Sequence, residues 1–219
     1  MTNCIANPIQ FSSLAGKKIL ADFSGGSITS NAGGLLLREA DIALQLTNQL
    51  SKRLCDRRQD GKINYPLLTL LRQRIYPLAC GYEDVNDHQA LRHDALLQAA
   101  VGVTETLASR STVSRMEIAF TREDAGAGNQ LLVELFIQRH KKVPKQLTLD
   151  FDATDNALHG DQEIKHFHGY YDHHCYLPLY VFCGDDLLVS YLRPSNIDGA
   201  QHAWAILALL VKRLRQAWP

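Results

Sequence analysis

Residues 147 to 163 read Leu-Thr-Leu-Asp-Phe-Asp-Ala-Thr-Asp-Asn-Ala-Leu-His-Gly-Asp-Gln-Glu. In its first six residues, Leu147, Leu149 and Phe151 alternate with Thr148, Asp150 and Asp152. Side chains on a β-strand point to opposite faces in turn, so this period of two predicts a strand with an apolar face and an acidic one. Two carboxylates on one strand face are unusual. Carboxylates in such a position can hold divalent metal ions, because Mg²⁺ prefers hard oxygen ligands. Paired aspartates also occur in turns, caps and calcium loops, and the pattern alone leaves both readings open.

Downstream the same signature recurs. Residues 175–183 and 187–193 read as two further strands around Gly184-Asp185-Asp186, which has hairpin-turn chemistry. Pro178 implies an irregular start or a bulge, since proline donates nothing to a sheet ladder. A helix follows over 199–218, with Asp198 as its N-cap and a wide apolar stripe from Ala203 to Leu214. Lys212, Arg213 and Arg215 in its last turns complement the helix macrodipole without any ligand.

Upstream of Pro144 the apolar spacing is helical. Helices are predicted over 35–54, 66–80, 87–101 and 130–139, the last following a flexible Asp124-Ala-Gly-Ala-Gly stretch. Gly25-Gly26-Ser27 and Asn31-Ala32-Gly33-Gly34 read as turns. A phosphate-binding loop is excluded there because no Gly-Lys-Ser/Thr closes the segment and Lys17 and Lys18 precede it. The chain therefore divides into an N-terminal extension (1–34), a helical region (35–143) and a strand-rich region (144–219).

Composition sets outer bounds. The chain has 219 residues, 46% of them hydrophobic and 21% charged, within the ordinary globular range. No apolar run nears the ~20 residues that span a bilayer, and no basic n-region with an apolar h-region opens the chain. A cytoplasmic setting without a membrane partner is expected. Five scattered cysteines without C-x-x-C spacing argue against both a disulfide framework and structural zinc. Lys plus Arg equals Asp plus Glu at 23 each, so only the placement of charge can signal a polyanionic partner.

The local sequence says more than the pattern. The stretch 149–163, then Phe-His-Gly-Tyr-Tyr-Asp-His-His-Cys-Tyr-Leu-Pro-Leu-Tyr-Val-Phe-Cys-Gly at 167–184 and Leu192-Arg193-Pro194-Ser195-Asn196, resembles DDE transposases of bacterial insertion sequences, in particular the 1380-type group. Ser27 to Arg38, Gln73 to Tyr76, Gly81 to His88 and Leu91 to Asp94 resemble the same proteins, so the likeness runs from about residue 17 onward. His168 stands where Asn is expected and Ala95 where Pro is usual.

The resemblance implies an α+β chain: a helical N-terminal region, then the first part of an RNase H-like fold with three antiparallel strands and a helix. It implies Mg²⁺- or Mn²⁺-dependent cleavage and strand transfer of DNA. Asp152 matches the family's first catalytic aspartate and metal ligand. Asp150 shares its face and is the supporting candidate, while Asp155 falls past the strand end in a turn. The family's second Asp and its Glu have no counterpart in these residues. A C-terminally truncated chain is therefore expected, holding metal weakly and inactive alone. The implied partners are double-stranded DNA at transposon terminal inverted repeats, and a second copy or a full-length transposase.

For DNA contact the candidates are Arg53, Arg57, Arg58 and Lys62, clustered between two predicted helices, with Arg72, Arg74 and Arg193. Asp56 and Asp60 dilute the first group. Asp172-His173-His174-Cys175 holds ligand-type residues, but neighbours on a strand face opposite ways and are read as surface or turn residues. The alternative from another class is a non-catalytic DNA-binding or regulatory remnant.

Overall fold

A computed structural model describes residues 8–21 and 28–219. Cys4 and the predicted turn at 25–27 lie outside the described residues. The chain is α+β, with the helices first and most strands after residue 150.

The N-terminal segment forms a hairpin that the sequence reading did not contain, β1 (Ile9–Leu14) and β2 (Lys17–Ala21). Ile9 pairs with Ala21 and Phe11 with Ile19, so the side chains of Ile9, Phe11 and Ile19 share one face.

The helical region is more finely broken than its periodicity predicts. The expected helix over 35–54 is two, α1 (Gly33–Leu44) and α2 (Leu46–Arg53), separated by Gln45 in the left-handed conformation at φ 56°. Asp41 explains the break. This buried carboxylate accepts hydrogen bonds from the Thr47 backbone N–H and hydroxyl, the Tyr76 hydroxyl and Arg72, and so folds the start of α2 back onto α1 and α3 (Leu67–Ala79). Burial raises its pKa, but the bonds from Thr47 and Tyr76 and the charge of Arg72 outweigh that and lower it overall.

The expected helix over 87–101 is likewise divided, into α4 (His88–Leu91) and α5 (Ala95–Val101). Asp94 caps α5 by accepting from the N–H groups of Leu96 and Leu97 at 2.8 and 3.1 Å. Such a cap is worth ~1 kcal/mol, enough to fix the restart. α6 spans Arg110–Ala119. α7 spans Arg122–Arg139 and begins eight residues before the predicted start, so the stretch read as flexible is helical. A capping box of Thr121 and Asp124 nucleates it and offsets Gly126 and Gly128. Asp124 also accepts from the Cys55 N–H and from Arg57, and these bonds hold its carboxyl well below the usual range.

After α7 come β3 (Asp150–Ala153), β4 (Asn156–Ala157), β5 (His166–His168), β6 (His173–Tyr176), β7 (Leu179–Cys183), β8 (Asp186–Tyr191) and α8 (Ala203–Ala217). They form two antiparallel three-stranded sheets ordered β3-β7-β8 and β4-β6-β5. The single strand predicted over 175–183 is broken at Leu177-Pro178, where proline removes a ladder donor. Register nevertheless carries across the break. Asp150 pairs with Phe182 and Ala153 with Leu179, and Asn156–Tyr176 continues at the same offset. The Leu177 N–H donates to the Arg193 carbonyl, and an isolated bridge joins Tyr176 to Pro194. One long bent strand thus serves both sheets.

The predicted β7–β8 hairpin is present, turning through Gly184 at φ 59°. The final helix starts later than expected. Asp198 accepts from the Ala200 N–H and caps a turn, and α8 begins after His202, whose φ is 69°.

One core seats Val133 and Phe136 of α7 and Leu210 and Leu214 of α8 on Val181, Leu188 and Val189 of the sheet. Two more fill the helical region, around Leu70 and Leu71 with Val113, and around Leu97 with Leu107. His88 is fully buried, and neither ring nitrogen has a hydrogen-bond partner among the described residues.

Burial depresses the His88 pKa, with the Arg74 charge adding to it and Glu117 and Asp87 opposing. Below the ordinary imidazole value the unfolded chain takes up a proton that the folded chain refuses, so stability falls as pH drops through ~6.5. Urea unfolding between pH 8 and 5 should show that loss, up to about 1.4 kcal/mol per pH unit for one proton. His88→Leu should flatten the profile; an unchanged slope would contradict this assignment.

Candidate metal centre

Asp150 and Asp152 lie on β3 with Phe151 between them. Phe151 packs against the core under α7 and α8, so the strand's alternation turns both carboxylates to the opposite, exposed face. There they sit opposite Phe182 and Tyr180 of β7. Residues two apart on a strand are separated by roughly 7 Å at their Cα atoms, with side chains running in parallel. β3 pairs only with β7, and its other edge has no strand partner among the described residues.

The donor chemistry suits a hard divalent ion, but the set is incomplete. No group of three or more His, Cys, Asp or Glu side chains among the described residues is placed to hold a metal ion. This face contributes Asp150 and Asp152, and a two-metal centre with ions ~4 Å apart requires more ligands than these.

Asp155 lies just beyond β3, as read, but is not idle. His173 Nε2 donates to its Oδ2 at 2.8 Å, tying the β3–β4 connection to β6. Tyr171 lies close by. Burial first, then the charges of Asp155, Tyr170, Cys175 and Asp152, push its phenol pKa up. The β5–β6 register pairs His166 with Cys175 and His168 with His173, which gathers these four on the inner face while Phe167 and His174 stay exposed. Adjacent residues do face opposite ways, as the sequence implied. What single-strand reasoning misses is that the neighbouring strand supplies two more histidines to one side.

Each of the six predicted DNA-contact arginines has a partner within the protein. Arg53 binds Glu134 of α7 at 2.7 Å, and Arg57 binds Asp124 at 2.7 Å. Arg58 grips both oxygens of Asp56 and the Tyr65 carbonyl. Arg72 reaches Asp41 and Thr47, while Arg74 binds Glu117 and the Glu83 carbonyl. Arg193 is the most deeply buried of the six. It is 1% exposed, and its guanidinium donates to the carbonyls of Leu177, Gln201 and Gly199. These bonds stitch the sheet to the segment entering α8. Of the seven cations, Lys62 stands exposed without an ion pair among the described residues.

The model of the family described as Transposase DDE domain group 1 matches residues 11–219. The chain belongs to the DDE transposase family. Divalent metal ions serve this family generally, and its members act on DNA. No curated protein and no solved structure matches the chain. Among the described residues, no helix of this transposase is long and apolar enough to cross a membrane.

Arg193→Ala should strip the buried Leu177 carbonyl of its donor and release the carbonyls of Gly199 and Gln201. A loss of about 1–3 kcal/mol in unfolding free energy is expected, because a stranded buried polar group carries its full desolvation cost. Duplex DNA binding by the folded fraction should keep its salt dependence; a reduced salt slope would return Arg193 to the DNA-contact set.

Proposed function

We propose that this chain is the transposase of an insertion sequence, with Asp152 as the first metal-binding carboxylate and Asp150 as its neighbour in support. The observation that carries the reading is the open face of β3: two exposed carboxylates held by a strand whose other face is locked into the core. The β3-β7-β8 antiparallel sheet, followed by a helix packed on it, supports an RNase H-like arrangement. Asp152 and Asp150 would hold Mg²⁺ or Mn²⁺, and the ion would supply activation of water and of a 3′ hydroxyl and stabilisation of the leaving oxygen. Terminal inverted repeats are the substrate in this reading. Lys62 and the helical region contribute to holding them, and a second copy or a full-length transposase is the protein partner.

Cleavage needs carboxylates beyond Asp150 and Asp152, so these 219 residues alone bind DNA and metal without cutting. A mobility-shift titration on a terminal-repeat duplex should give salt-sensitive binding, and incubation with Mg²⁺ should leave the strands intact. Strand cleavage that disappears in Asp152→Ala would place the active centre here and overturn the inactivity. Absence of any duplex binding would defeat the DNA-handling reading itself. The second reading, a remnant that binds transposon ends without catalysis, is favoured by the lack of a third metal ligand beside Asp150 and Asp152 among the described residues. It is separated from the first by Mn²⁺ titration: Asp152→Ala should weaken Mn²⁺ binding in a transposase centre and leave it unchanged in a remnant.

A further inference from the structure

Two stretches of the chain carry cations without any acidic residue among them. Residues 135–149 contain Arg139, Lys141, Lys142 and Lys145, residues 199–219 contain Lys212, Arg213 and Arg215, and neither stretch contains an Asp or Glu. Folding brings the two stretches together. α7 and α8 end side by side, joined by edge-on packing of Phe136, His140 and Trp218 with ring centroids 4.5–5.9 Å apart. A groove of about 700 Å³ opens there between the α7–β3 connection and α8, with Lys145 on one wall and Arg215 on the other.

Two of the seven cations are neutralised, Arg139 by Asp186 and Arg213 by Glu134. Lys141, Lys142, Lys145, Lys212 and Arg215 are exposed and form no ion pair among the described residues. One terminal cation satisfies the macrodipole of a helix, and its effect fades within a turn. The lysines beyond α7 exceed that need. Uncompensated like charge repels itself and attracts a polyanion.

We infer that Lys141, Lys142, Lys145 and Arg215 form a phosphate-backbone contact surface for duplex DNA, resting on the DNA-handling function proposed above. The surface reads charge and carries no base specificity, as lysine–phosphate contacts do. Its position sets a distance. Seven residues of extended backbone separate Lys145 from Asp152, at most ~23 Å. A phosphate gripped at Lys145 therefore lies within about seven base pairs, at 3.4 Å each, of the bond presented to the Asp152 face.

The test is the salt dependence of binding by the 219-residue chain. Converting all four residues to Gln should lower duplex affinity at least tenfold at low salt. It should also reduce the slope of log K against log salt by about 3–4, given ~0.9 per phosphate contact, equally for terminal-repeat and unrelated duplexes. A charge-matched variant elsewhere, with Lys17, Lys18, Lys52 and Arg115 converted to Gln, should keep the slope; an equal loss there would reduce the effect to net charge and overturn the surface. Wild-type slope in the first variant would overturn the surface while leaving the DNA-handling function standing. No binding by the wild-type chain would remove both. Acetylation of the unmutated protein gives a readout independent of the variant's folding: duplex DNA should protect Lys141, Lys142 and Lys145, and undiminished labelling would count against the proposal.

Discussion

Burial of Phe151 is the constraint on which the arrangement depends. A strand has two faces, and once Phe151 joins Val181 and Val189 beneath α7 and α8, Asp150 and Asp152 have only the outer face to occupy. Full burial of one large apolar side chain contributes roughly 1.5–3 kcal/mol. Several of them act here at once, which outweighs any local preference of the acidic residues. Slipping β3 by one position would put both carboxylates into the core and cost far more than one misplaced Phe. The acidic face is therefore as rigid as the packing behind it.

α7 is the element that transmits this rigidity. One side of it carries Val133 and Phe136 onto the sheet, while Glu134 takes Arg53 of α2 and Asp124 takes Arg57. The ion pairs are partly exposed, and such pairs contribute about 0–1 kcal/mol each. Packing accounts for the adhesion and the charges select the register. The helical region and the sheet thus share one helix as their common wall, although the sequence changes character after it.

This division of labour explains which parts of the structure were legible. Alternation exposed β3 with its acidic face, the β7–β8 hairpin and the apolar stripe of α8, because period and burial are local quantities. Breaks were not legible. Gln45 interrupts a clean helical pattern only because Asp41 gathers Thr47, Tyr76 and Arg72, and none of those contacts shows in the spacing. The internal partners of the arginines were hidden for the same reason. Arg53, Arg57, Arg72 and Arg74 find their carboxylates 31 to 81 residues away, beyond any local reading of charge. His166 and His168 joined His173 and Cys175 through cross-strand register, which the sequence leaves open.

The exposed carboxylates have a physical role whether or not a metal is bound. β3 borders on no second strand among the described residues, and an open strand edge templates aggregation. Short length and charged side chains are among the devices that blunt such an edge, and β3 has both: four residues, two of them aspartate. The structural and the metal-binding readings of Asp150 and Asp152 are therefore compatible rather than rival. Their face alone would repel phosphate. Close approach of a DNA strand requires a cation between them and the backbone, and that is the service a divalent ion performs. On the proposed reading, electrostatic holding lies at the ends of α7 and α8 and metal-dependent approach on the outer face of β3, which lets the first operate while the second waits for its ion.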